Sequence, residues 1–255
     1  SDLAGNAIAS AITSPSSGAV TIDNTHPTSS AATIAVTGSG NANDADVITL
    51  TLDPSETVGT PVCTWTDGSG AMEDTDVTYA TVGGTDHHTA AVTVHNDDDD
   101  GAVAFSCTYT DSAGNAIVSA ITTHSSGSAI TIDNTHPTSS AATIAVTGSG
   151  NANDADVITL TLDPSETVGT PVCTWTDGSG AMEDTDVTYA TVGGTDHHTA
   201  AVTVHNDDDD GAVAFSCTYT DSAGNAIVSA ITSASSGSVT IDNTHPSISS
   251  VEFAS

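Results

Sequence analysis

The chain contains no lysine, no arginine and no glutamine, and only 5 of its 255 residues are glutamate and 2 methionine. Soluble proteins normally carry about 25% charged residues of both signs. Here 33 Asp plus Glu stand against 10 His, for a formal net charge of −33. Each absence excludes a chemistry. Without Lys there is no Schiff base, no lysine general base, no P-loop and no Lys–Asn isopeptide cross-link. Without Arg there is no guanidinium fork for carboxylate or phosphate. A nucleic-acid partner is excluded, because neutralisation of phosphates by Lys and Arg supplies that affinity; docking on an anionic membrane leaflet fails for the same reason. Mobile counterions, a divalent metal or high salt must offset the carboxylates instead. The scarcity of long side chains fits two readings: an exposed protein selected for resistance to trypsin-like proteases, or residues inferred from an experimental map rather than read from a gene. No run of about 20 apolar residues is present to insert in a membrane, and no signal peptide is visible.

What the chain does have is repetition. The segment from Thr21 to Thr122 recurs without change from Thr131 to Thr232, a period of 110 residues. A motif T-I-D-N-T-H-P begins at Thr21, Thr131 and Thr240, and a second, D-x-A-G-N-A-I, at Asp2, Asp111 and Asp221. The stretches between the two motifs differ in each copy: Ser14-Pro15, Thr123-His124 and Ser233-Ala234. The expected organisation is residues 1–23 as the end of a preceding unit or a donated strand, 24–133 and 134–242 as two full domains, and 243–255 as the first strand of a following one. The whole reads as a window on a longer array.

Within a unit the signal is all-β. Apolar alternation of period two recurs in short runs bounded by Gly, Asp, Asn and Pro: Ile34 and Val36; Ile48, Leu50 and Leu52; Cys63 and Trp65; Val77 and Tyr79; Val92 and Val94; Val103, Phe105, Cys107 and Tyr109; Ile130 and Ile132. About seven strands in a unit of this length is the size of an immunoglobulin-like sandwich. The predicted fold is therefore all-β, a tandem of immunoglobulin-like β-sandwich domains. Cys63 with Cys107, and Cys173 with Cys217, fall on the third and sixth strands, neighbours in one sheet, and both point inward by parity with Trp65 and Phe105. A disulfide is expected in each unit, with an oxidising compartment as its corollary; the alternative is a pair of buried thiols. Neither pair has the C-x-x-C spacing of a zinc site.

The strings S-E-T-V-G-T-P, Y-T-D-S-A-G-N-A-I and I-T-I-D-N-T-H-P-T resemble the tandem bacterial Ig-like domains of large extracellular adhesins and surface repeat proteins. The resemblance spans essentially the whole chain, and its most specific part is D-x-A-G-N, a strand, then D-x-T-x-P. It implies a structural or adhesive extracellular rod without catalysis, often stiffened by calcium between domains. The Cys pairs and the total loss of Lys and Arg depart from the usual pattern of such domains.

The strongest chemical feature is carboxylate at the domain junctions. Ca²⁺ takes about six to eight oxygens at roughly 2.3–2.6 Å. Asp133 in the linker, Glu166 between the second and third strands, and Asp221 and Asn225 between the last two strands are expected to converge on such a site. Asp23, Glu56, Asp111 and Asn115 form its copy in the first unit. The bland reading is that these Asp and Asn residues are turn formers. The loop from Asn96 through Asp97, Asp98, Asp99 and Asp100 to Gly101 is expected at the outgoing pole, as a solvated acidic loop or a weak cation site. Asp44 and Asp46, after Asn41 and Asn43, form the first connecting turn. His87 and His88 point to opposite faces of a strand, so with His95 they read as surface histidines rather than metal ligands. No catalytic motif stands out, and the 9 aromatic residues are too few for both a core and a carbohydrate platform. The leading function is thus a structural array partnered by copies of itself. The rivals are a recognition module for a glycan or surface receptor, and a subunit that polymerises by strand donation.

Overall fold

The computed structural model describes residues 21–251 apart from 39, 73–76, 84–85, 149, 183–186 and 194–195. The expected roles of residues 1–20, the Asp2 motif among them, and of 252–255 lie outside the described residues. The first unit comprises β1 (Ser29–Val36), β2 (Val47–Pro54), β3 (Val62–Thr66), β4 (Thr78–Thr81), β5 (His88–Thr93), β6 (Gly101–Ala102), β7 (Ala104–Thr108) and β8 (Thr131–Ile132). The second repeats them as β9 (Ser139–Val146), β10 (Val157–Pro164), β11 (Val172–Thr176), β12 (Thr188–Thr191), β13 (His198–Thr203), β14 (Gly211–Ala212), β15 (Ala214–Thr218) and β16 (Thr240–Ile241).

The sequence V-I-T-L-T-L-D-P dictates β2. Thr and β-branched residues suit a pleated, half-buried surface, and the alternation buries Ile48, Leu50 and Leu52 completely. Flanked by β1 and β5, it is an inner strand of the sheet β1-β2-β5-β4. The second layer is built from β3 on β7 and β6 on β8, all antiparallel. Strands one, two, five and four in one layer, with three, six and seven in the other, is the immunoglobulin constant-type arrangement. Each unit closes over its own core: Ile34, Leu50, Trp65, Val92, Phe105 and Ile132 in the first, and their copies in the second.

Two details depart from the expectation. The sixth strand is two, β6 and β7, because its halves pair with different neighbours while Val103 between them donates to Ile130 O at 2.9 Å. The last strand is interrupted. Ile121 exchanges both backbone hydrogen bonds with Cys107, the chain then crosses to β1 through Ser125 and Ser126, and returns to pair with β6. At this crossing a Cβ on Gly127 would lie 2.1 Å from Ile34 O, and its φ is +97°, so only glycine fits.

The cysteines form disulfides, Cys63–Cys107 and Cys173–Cys217, each joining residues directly opposite in β3–β7 and β11–β15. They lie within one sheet, not between the two as in antibody domains. Trp65 packs on Phe105 beside the first, with ring centroids 5.8 Å apart. On the outer edge of β3, the Tyr79 hydroxyl accepts from Cys63 N at 2.9 Å and donates to Cys63 O at 3.4 Å. An open edge would present unpaired backbone groups; here an amino-acid side chain caps it.

Candidate functional site at the unit junction

The three carboxylates of the junction arrive by three local rules. Ile132 is tied to Gly101 and bridges Ala42, and Asp133 N donates to Ala42 O at 2.9 Å, so Asp133 leaves the first unit at its outgoing pole. Asp221 opens the turn D-S-A-G-N. Its Oδ1 accepts the backbone N–H of Ala223, Gly224 and Asn225 at 2.8–2.9 Å, an Asx-type turn. Glu166 follows Ser165, which bonds reciprocally with Thr138, and the bridge Val168–Asp221 locks the two loops together. Asp133, Glu166 and Asp221 thereby each offer an oxygen, all within 4.8 Å of one another; Asp23, Glu56 and Asp111 do the same in the first unit.

Asn225 and Asn115 stand in these clusters with the amide nitrogen facing inward. Asn225 Nδ2 donates to Asp133 O at 2.7 Å and Asp221 Oδ2 at 2.8 Å, and Asn115 Nδ2 to Asp23 O at 3.1 Å and Asp111 Oδ2 at 2.8 Å. The carboxamides therefore brace the carboxylates in this arrangement. Electrostatics follow from the crowding. Desolvation, then the charges of Asp221, Asp133 and Asp100, push the Glu166 carboxyl up from its ordinary 4.5. Glu56 is raised likewise by desolvation, Asp23 and Asp111. The Asn115 side chain and the turn amides hold Asp111 down. Three convergent carboxylates with no cationic side chain form a hard-oxygen donor set that suits a divalent cation of the calcium type.

The linker itself carries contacts that sequence reasoning missed. Asn134 Nδ2 donates to His95 O and Asp98 O at 2.9 and 3.0 Å, Asn134 N donates to Asp100 Oδ1 at 2.6 Å, and Thr135 Oγ1 to Asp100 Oδ2 at 2.5 Å. One residue further, His136 Nδ1 donates to Ala226 O at 2.8 Å in the second unit. The motif D-N-T-H therefore fastens backwards through Asn and Thr and forwards through His. Asn43 adds a direct contact between units, its Nδ2 donating to Asn225 Oδ1 at 3.2 Å. The effect is visible in burial: Ala223 and Asn225 are buried, whereas their first-unit copies Ala113 and Asn115 are not. The signal in the sequence was the threefold recurrence of N-T-H-P beside an acidic loop.

The acidic loop lies where expected, between β5 and β6, but it is less solvated. Asp98 is 4% exposed and accepts from His95 N. Asp99 N donates to Asp67 Oδ2 at 3.0 Å. Desolvation raises Asp67, yet the amides of Ser69, Asp99 and Gly70 outweigh it and hold the carboxyl low. Asp46 closes the first turn, accepting from Asn43 N and Thr37 Oγ1. The expectation of surface histidines is corrected at His88, which is buried because its parity places it on the core face of β5 beside Leu52. His87 is half-buried and pairs through Nε2 with Asp53 at 2.9 Å.

The topology and this junction define a tandem pair of immunoglobulin-like β-sandwiches joined by a short, acid-lined linker. No family model matches the chain, and no curated protein does. Among solved structures it is similar to a chimeric titin Z1Z2 carrying a decorin-derived peptide, at 14% identity over 85% of this chain and 96% of that one, with a TM-score of 0.33. It is also similar to a marsupial T cell receptor, at 9% identity over 82% and 73%, with a TM-score of 0.43. A tetra-tandem repeat from the extending region of a large adhesion protein gives 18% identity over 85% and 50%, with a TM-score of 0.33. The strand order above, rather than these overlaps, defines the fold.

Proposed function

We propose that the protein is a structural segment of an extracellular array, a rod or filament of Ig-like spacers whose junctions are set by calcium. The observation that carries this reading is the convergence of the linker carboxylate Asp133 with Glu166 and Asp221. A linker tied on both sides transmits orientation from unit to unit. A cation bound to one linker carboxylate and two from the next domain would resist its bending and relieve the repulsion that raises Glu166. The disulfides suit an oxidising, extracellular setting. Partners in this reading are further copies of the unit. Each unit supplies its own last strand, β8 on β6 and β16 on β14, so no observation favours strand donation.

The test is thermal unfolding with millimolar calcium against chelator at matched ionic strength. Calcium is expected to raise the midpoint beyond the effect of ionic strength, and Asp133→Ala to remove much of that calcium-specific rise and little of the salt effect. Equal loss of both would sink the junction site, leaving the Asp residues as turn formers and the stiffness to the linker hydrogen bonds.

A further inference from the structure

The two Asp–Pro bonds of the chain, Asp53–Pro54 and Asp163–Pro164, stand at one place in the two units, the end of the second strand. There β1 bulges: Ala31 pairs with Asp53 and Ser29 with Pro54, leaving Ser30 as the extra residue. Bulges re-aim side chains. This one turns Ser30 Oγ onto the Asp53 carbonyl oxygen at 3.0 Å and, at the same time, onto the Asp53 carboxyl oxygen Oδ2. One hydroxyl thereby joins the carbonyl oxygen and a carboxyl oxygen of the same residue. His87 holds the other carboxyl oxygen at 2.9 Å. The second unit repeats every part: the bulge, Ser140 Oγ on Asp163 O at 3.1 Å and on Asp163 Oδ2, and His197 on Asp163 at 2.8 Å.

We propose that Asp53–Pro54 and Asp163–Pro164 are bonds at which the folded chain cuts itself in mild acid, with the bulge holding each carboxyl against the carbonyl it attacks. The protonated carboxyl passes its hydrogen to Ser30 Oγ, and Ser30 passes its own to the carbonyl oxygen. The second carboxyl oxygen leaves its contact with His87 and adds to the carbonyl carbon, closing a five-membered ring. The tetrahedral centre expels the Pro54 nitrogen: the C–N bond breaks, its electron pair stays on nitrogen, and nitrogen takes a proton from solvent as the new hydroxyl returns one. The cyclic anhydride left on Asp53 takes up one water and opens. The net change is one peptide bond and one water exchanged for a C-terminal Asp53 and an N-terminal Pro54. A tertiary amide nitrogen is the better leaving group once protonated, which is why proline is needed. The hydroxyl supplies the proton that the carbonyl oxygen takes up as it is attacked, and the held geometry replaces a chance encounter. The groups facing the carboxyl are Ser30 from β1, His87 beside β5 and the Tyr109 phenol, which is raised by burial and to a lesser degree by the Asp53 charge. At 37% exposure, the Asp53 side chain is open to the water that completes the reaction.

The test is incubation at about pH 4, in the carboxylic-acid titration range, folded and in urea, with mass spectrometry of the fragments. Folded protein is expected to cut at both bonds about tenfold faster than unfolded protein or more. Cutting that is as fast or faster in urea overturns the proposal. Ser30→Ala should slow the 53–54 cut to the urea rate while the 163–164 cut in the same molecule is unchanged, with amide exchange showing the β2–β5 ladder still protected. Equal rates at the two bonds in that variant also overturn it. If Ser30→Ala loses the ladder, Ser30→Thr decides: retained cutting supports the hydroxyl relay, and loss of cutting with the sheet intact refutes it.

Discussion

Ala45 and its copy Ala155 hold φ of 70° and 68° in the N-D-A-D turn beside the junction. A methyl side chain costs about 1–2 kcal/mol in that left-handed region, more than glycine loses in chain entropy. Ala45→Gly is therefore expected to stabilise the first unit by about 0.5–1 kcal/mol, read by urea unfolding. Gly127→Ala should do the reverse, at a cost of at least about 2 kcal/mol, since its Cβ meets the Ile34 carbonyl. Asn134 makes two side-chain hydrogen bonds to backbone carbonyls of the outgoing pole. Asn134→Ala should cost about 1–2 kcal/mol, and faster amide exchange around Asp100 would show the linker released.

At the scale of elements, the repeat makes each unit the control for the other. The 44-residue separation of Cys63 and Cys107 predicts about 4 kcal/mol of loop-closure stabilisation. A Cys63→Ala, Cys107→Ala double variant should split calorimetric unfolding into two transitions, the second-unit one staying at the parent midpoint. Tyr79→Phe removes the group that caps the β3 edge. It is expected to cost about 1 kcal/mol and to expose Cys63 N–H to exchange.

For the whole molecule, charge is sorted by position. In the described strands the only carboxylates are Asp53 and Asp163; the other described carboxylates lie in loops and at the poles. This sorting gives stability a signed pH dependence. Glu56 and Glu166 are raised above 4.5 in the fold, so the folded chain binds more protons there. Their contribution is fully present below that value and is lost as pH rises through the raised one. Asp67, Asp111, Asp177 and Asp210 are lowered from 3.8, so their contribution is present above it and lost as pH falls through the lowered values. In chelator, the melting midpoint should therefore rise as pH is lowered from neutral toward about 4.5 and fall below about 3.8. Calcium should flatten the first limb and leave the second.

Composition and periodicity alone determined the all-β class and the 110-residue repeat, and pointed to the Cys pairs and to the Asp and Glu that the fold gathers as Asp133, Glu166 and Asp221 and as Asp23, Glu56 and Asp111. Those features were legible because alternation reports which face of a strand is buried, and because sandwich order places known loops at known poles. Tertiary structure decided the rest. No local pattern reveals that Asn225 turns its nitrogen inward, because that depends on Asp133 O and Asn43 approaching from another unit. The division of the sixth strand depends on which neighbour each half meets. The bulge that seats Ser30 on Asp53 depends on the register of two strands across 23 residues of chain. Sequence sets what each residue prefers nearby; only packing brings distant groups within bonding distance.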